Sequence, residues 1–187
     1  MNRIIFLGGM LLCSISLLAG NVKSLNLSSP DSSHCVVFHQ VQMKNSVNEI
    51  HYNISYKGRT IVEDSRAGLQ LDNRVWEMAL GFRDLKQSVC WMDLLEVDSV
   101  VVKPSVDRVW HPLYGERSMV RDQYNAATLY LSRKDRSFYR LNIEVRAYNE
   151  GIAFRYFFPE HPHAIFHKVV EDLTEYTFPN GTMAWSE

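Results

Sequence analysis

The 187-residue chain is 46% apolar and 22% charged, with 20 basic and 21 acidic side chains for a formal net charge of −1. These proportions describe one ordinary globular domain, and nine Gly and six Pro exclude a collagen-like or low-complexity chain. A balanced charge offers no basic surface to neutralise phosphates, which argues against nucleic acid as a partner.

Asn2-Arg3, the apolar run from Ile4 to Leu18 and the small or polar Ala19-Gly20-Asn21 read as a secretory signal peptide over residues 1–24. A membrane anchor needs about 20 apolar residues, and this run is shorter and broken by Gly8-Gly9, Ser14 and Ser16. Cys13 would suit a bacterial lipoprotein, but Leu12 stands where a small residue is required. Cleavage is expected after Ser24, leaving residues 25–187 as one exported domain with no membrane span. Cys35 and Cys90 are then the remaining cysteines, in a compartment where disulfides persist. A bridge between them and two buried thiols fit the sequence equally. No Cys/His spacing suggests zinc.

Beyond residue 35 apolar and polar residues alternate, as half-buried antiparallel strands require. Residues 35–38 open the first run. Ile50, Tyr52, Ile54 and Tyr56 share a face, Lys57-Gly58 turns the chain, and Thr60 and Val62 return it as a hairpin. Ala67, Leu69 and Leu71 form the next face. The apolar residues at 75, 78, 79, 82, 85, 89 and 92 follow helical spacing and predict one short inserted helix. Residues 97–102, 128–131 and 138–145 are β-rich, with a polar tip at 132–136. Leu141, Ile143, Val145 and Ala147, then Tyr148-Asn149-Glu150-Gly151, then residues 152–158 predict the clearest hairpin, with Gly151 taking a positive φ. A last strand is expected over residues 173–178, halted by Pro179-Asn180-Gly181. The pattern indicates an all-β protein, a large antiparallel β-sandwich.

Candidate chemistry is sparse. His161, His163 and His167 offer imidazoles to a metal, but Pro162 interrupts them and no carboxylate completes a set, so a solvated loop is favoured. Glu116, Glu150, Glu171 and Glu175 lie near aromatics and are candidates for the carboxylate pair of a glycosidase, although such acids are common on sandwich surfaces. There is no Gly-x-Ser-x-Gly elbow and no phosphate-cradling glycine loop. Trp110, Tyr114 and Tyr148, with Tyr124 and Trp185, are the aromatics that could stack on sugar rings; core packing is the competing role. Arg146 and Arg155 flank the Asn149–Gly151 turn near equivalent heights and are expected to cover apolar surface and pair with Glu144, Glu150 or a carbonyl.

Five blocks occur in order: Ser29-Pro30-Asp31; Ser65-Arg-Ala-Gly-Leu-Gln-Leu71; Trp110-His-Pro-Leu-Tyr-Gly-Glu116; Tyr124-Asn125; and Arg146-Ala-Tyr-Asn-Glu-Gly-Ile-Ala-Phe-Arg-Tyr156, followed by Pro159. Together they resemble the N-terminal domain of glycoside hydrolase family 97. The resemblance implies a supersandwich of the galactose-mutarotase-like kind. It further implies exported α-glucosidases or α-galactosidases of bacteria such as Bacteroides, periplasmic or outer-membrane-associated, acting on oligosaccharides and dependent on calcium. In that family a (β/α)8 barrel follows and carries the catalytic carboxylates, so this chain is expected to stop short of the barrel and to be inactive alone. No catalytic or metal residue carries over: Ala126 stands where the family often has Glu, and Glu187 is too close to Trp185 to be the family's calcium ligand. A free-standing carbohydrate-binding module using Trp110, Tyr114 and Tyr148 is the alternative. A mutarotase-like acid–base pair, His111 with Glu116, is a remoter one.

Overall fold

The computed structural model describes residues 24–44, 48–72, 78, 81, 89–90, 94–133, 139–160 and 167–183. All of the expected signal peptide but Ser24, together with His161, His163, Trp185, Glu187 and most of the expected helix, lies outside them. The strands are β1 (Ser24–Ser28), β2 (His34–Gln42), β3 (Asn48–Tyr56), β4 (Arg59–Ala67), β5 (Leu69–Leu71), β6 (Val89–Cys90), β7 (Leu95–Trp110), β8 (Val120–Arg133), β9 (Arg140–Tyr148), β10 (Gly151–Phe157) and β11 (Val169–Asp172). They form three antiparallel sheets, ordered β1-β2-β3-β4, β10-β9-β8-β7 and β11-β5-β6.

Alternation in the sequence decides which residues face inward. Leu25 and Leu27, Val36 and Phe38, Ile50 and Tyr52, and Val62 and Ala67 supply the first sheet's share of the core. Leu95, Ala127, Leu129, Leu131, Leu141, Ile143, Val145 and Ala147 supply the second. Two sheets with one apolar face each are stable only when those faces meet, so the all-β sandwich stands as expected. Phe154 of β10 locks the layers edge-on, 5.3 Å from the Phe38 ring and 5.1 Å from the Tyr52 ring between centroids. Burial pushes the hydroxyls of Tyr52 and Tyr156 up, well above the usual phenol range.

The β3–β4 hairpin turns where expected. Lys57 and Gly58 both take positive φ, 48° and 77°, the left-handed pair whose twist matches that of the flanking strands. The β9–β10 hairpin also forms, but Gly151 has no positive φ. Tyr148 pairs with Gly151, which makes Asn149-Glu150 the turn and places the glycine in the ladder, where extended backbone is required.

Three further expectations are corrected. Strand β7 runs 16 residues, far beyond the expected 97–102. Pro104, which lacks an N–H, is tolerated inside it because β7 is the edge of its sheet and the register slips between Lys103 and Val106. Val89-Cys90, the C-terminal part of the expected helix, is strand β6 paired with Gln70-Leu71. Residues 173–178 are not a regular strand. Leu173 N and Glu175 N donate to Gly68 O and Arg66 O, but Thr177 N, next in that alternate series, donates to a side chain instead, Ser65 Oγ. Substituting side-chain acceptors for ladder carbonyls breaks the periodic pairing that a strand needs. Cys35 is a free thiol that donates to Asn26 Oδ1 at 3.2 Å.

Candidate functional site

Three of the sequence blocks meet at one end of the sandwich. Asp31 Oδ1 accepts from Ser29 Oγ (2.6 Å), Ser33 Oγ (2.8 Å) and Ser33 N (2.9 Å), and these bonds, Ser29 first, hold its carboxyl at about 2. Ser29 Oγ accepts from His34 N at 3.0 Å, and Ser32 closes the turn at φ 60°. Asp31 N donates to Asn149 Oδ1 in the β9–β10 turn at 3.1 Å. Asn125 Nδ2 donates to Ser28 O at 2.8 Å, while its Oδ1 accepts from Ser105 Oγ at 2.6 Å. The blocks around Asp31, Asn125 and Asn149 therefore join turns and strands that are remote in sequence.

The outer face of the second sheet carries the arginines. Tyr124 stands opposite Tyr148, ring centroids 5.0 Å apart. The Arg146 guanidinium lies 4.6 Å above the Tyr124 ring and donates to Tyr148 Oη at 3.3 Å. Arg155 donates through Nε (2.8 Å) and Nη2 (2.7 Å) to Glu144 Oε2, which holds the Glu144 carboxyl below the usual range. Arg155 thus meets the expected partner. The two arginines are not at equivalent heights, because Arg155 faces Glu144 and Arg146 faces Ala153, two residues nearer the turn. Glu144, Arg146, Tyr148 and Arg155 border an open groove of about 210 Å³.

Beyond Val106 and its partner Tyr124, the last β8 residue paired with β9, the β7–β8 hairpin continues as a two-stranded arm. Asp107 pairs with Arg121 (2.6 Å) and Arg108 with Asp122 (2.8 Å). The Arg121 hydrogen bond holds the Asp107 carboxyl below its ordinary value. In the loop at the tip, His111 Nδ1–H donates to Ser118 O at 2.8 Å, so this ring is engaged with the backbone. Trp110 is 51% exposed, Tyr114 90%, and Leu113 wholly so. Trp110 and Tyr114 thus mark the tip. Tyr148 sits at the base, because its register partner Tyr124 is four residues along β8 from Val120, the partner of Trp110. That separates the two rows by about 13 Å.

The four glutamates considered from sequence are dispersed: Glu116 in the arm loop, Glu150 in the β9–β10 turn, Glu171 on β11 and Glu175 beside β4. Glu175 Oε2 accepts from Arg66 N at 3.3 Å. His167 stacks on Phe158 at 4.2 Å. Among the described residues, no group of three or more His, Cys, Asp or Glu is arranged to hold a metal ion. No helix among them is long and apolar enough to cross a membrane. Sequence reasoning missed the turn-capping role of Asp31; the Ser29-Pro30-Asp31-Ser32-Ser33 run carries the signal, since Asp and Ser side chains close turns on neighbouring N–H groups.

Two packed antiparallel sheets, with many polar side chains spent on joining turns and strands, define a β-sandwich module. A profile described as glycosyl-hydrolase 97 N-terminal matches residues 27–187, and the chain belongs to that family. It is 28% identical over 187 residues to the retaining alpha-galactosidase of Bacteroides thetaiotaomicron, covering 98% of this chain and 23% of that protein. Among solved structures, a glycoside hydrolase family 97 enzyme from Pseudoalteromonas sp. strain K8, in complex with panose, is similar at a TM-score of 0.65 and 20% identity, over 83% of this chain and 20% of that one. A beta-arabinopyranosidase is similar at 0.62 and 20% identity, over 83% and 21%. At such identities the solved structures speak for the fold alone. The chain spans about a quarter of the curated relative's length.

Proposed function

We propose that this chain is the non-catalytic N-terminal β-sandwich domain of an exported α-glycoside hydrolase of α-glucosidase or α-galactosidase type. Its partner is a (β/α)8 catalytic barrel, which the domain supports and whose substrate opening it helps to shape. The family membership and the relative's activity as a retaining alpha-galactosidase favour this reading, and the apolar segment before Ser24 favours export to the periplasm or outer membrane. The observation that carries it is the arm tip. Val109, Trp110, Leu113, Tyr114 and Met119 are all exposed there, and so many exposed large apolar side chains near one tip favour an interaction site. The calcium expected of the full-length enzyme belongs, on this reading, with the barrel.

The test is hydrolysis of nitrophenyl α-galactoside and α-glucoside by the purified chain with and without calcium. No turnover above the blank is expected. Turnover that disappears on substituting Glu116, Glu150, Glu171 or Glu175 overturns the proposal.

A second reading, a carbohydrate-binding module, is favoured by the solvent-facing Trp110 and Tyr114 rings, with Tyr148 at the arm's base. Isothermal titration with malto- and galacto-oligosaccharides separates the two. A pure scaffold releases no binding heat, whereas a module binds and loses that binding in Trp110→Ala.

A further inference from the structure

At the base of the arm, on the outer face of the second sheet, Arg146 has no carboxylate of its own. A guanidinium carries five N–H donors, and among the described residues Arg146 spends one, on Tyr148 Oη at 3.3 Å. The neighbouring carboxylates are engaged elsewhere. Glu144, two residues earlier on β9, gives Oε2 to Arg155 and Oε1 to Lys103, whose Nζ lies 3.7 Å away. Asp122, two residues before Tyr124 on β8, receives Nε (2.9 Å) and Nη2 (2.8 Å) of Arg108. Three cations, Arg146, Arg155 and Lys103, thus face the single carboxylate of Glu144, and the patch is cationic.

The donor fork is also held in place. It lies on the buried Tyr124 ring and is tied to Tyr148, so its plane and direction are set before any ligand arrives. A side chain ordered in advance loses less entropy on binding. Across the ladder its register partner is Ala153, an exposed residue whose methyl group leaves room for the open groove of about 210 Å³ beside Arg146, Tyr148 and Arg155. That volume is below the roughly 300 Å³ at which sites for drug-sized ligands begin, so the groove suits one small group. A planar fork recognises a planar pair of anionic oxygens. Because Glu144 already occupies the Arg155 fork, one fork is on offer, which matches a carboxylate better than a phosphate dianion.

We propose that this groove is a binding site for a small carboxylate ligand, with Arg146 holding the two oxygens and Tyr148 and Ala153 receiving the body that carries them. The site does not depend on the role of the arm tip.

The test is an NMR titration of the full chain with galacturonate, acetate, inorganic phosphate and, as the neutral counterpart of the first, galactose. Galacturonate is expected to bind and galactose to leave the groove signals unmoved. Galacturonate binding more tightly than acetate makes the ligand an acidic sugar; equal binding makes the bare carboxylate the recognised group, and both support the site. Arg146→Gln should weaken galacturonate by about tenfold or more, the worth of a hydrogen bond to a charged group. Arg146→Lys, which keeps the charge and loses the fork, should weaken it as well. Ala153→Leu fills the groove from an exposed position and carries the test if the Arg146 variants fail to fold. No carboxylate binding, equal binding of galactose, tighter binding of phosphate, or variants that bind like the wild type would each overturn the proposal.

Discussion

The two halves of the β7–β8 hairpin share one antiparallel ladder and differ in almost everything else. At the root Val97 pairs with Leu131 and Val100 with Leu129, and Leu95, Leu129 and Leu131 are fully buried. Past the slip between Lys103 and Val106 the same strands continue, with exposed ion pairs where the root has core. Each fully buried side chain at the root contributes about 1.5–3 kcal/mol, whereas exposed ion pairs contribute little. A two-stranded ribbon is marginal by itself in water, so the arm stands because the root anchors it. The apolar residues at its tip add nothing to that anchoring, which is why they are read as a surface for a partner.

The sharpest way to break this contrast is to truncate one side chain in each half. Leu129→Ala is expected to lower the unfolding free energy by about 2–5 kcal/mol, and Trp110→Ala by less than about 0.5 kcal/mol, both read from urea titrations. Equal losses would contradict it. Gly58→Ala is expected to cost about 1 kcal/mol in the same assay, because its φ of 77° is left-handed although nothing lies within 4 Å of the added Cβ. Tyr52→Phe should cost about 1 kcal/mol by deleting the bond from its hydroxyl to Glu175 O at 2.6 Å. The smallest effect is the acid limb. Asp31 is held at about 2 against an ordinary 3.8, so its contribution is present above about pH 4 and is lost as pH falls towards 2. Asp31→Asn should flatten that part of the melting-temperature profile.

What the sequence made legible follows from burial. Where one face of a strand is buried, alternation is enforced, and the runs through Ile50–Ile54 and Leu141–Ala147 became β3 and β9 with those residues inward. The Lys57-Gly58 turn was equally readable, since a left-handed pair needs residues of this type. Strand β1 went unread because its five residues merge with the expected leader. The outer half of β7 was hidden because an exposed ribbon has no apolar face to impose a period, and Pro104 reads as a stop unless the strand is known to be an edge. Segment 173–178 looked like a strand because Leu173, Tyr176 and Phe178 are apolar, yet Ser65 Oγ takes over from Thr177 N a hydrogen bond that a ladder would supply. Of the candidate site, the exposed aromatics could be named from sequence. Their distribution between the tip and the base of one arm could not, since it depends on a register set by β8.

Hydrogen exchange along β7 and β8 tests most directly whether this hairpin divides into a core-forming root and a partner-facing arm. Amides of Leu129 and Leu131 should exchange only through global unfolding, while those of Arg108 to Trp110 and Arg121 to Gln123 exchange through a local opening of much lower free energy. Uniform protection from root to tip would contradict the division and make the arm part of the folding core.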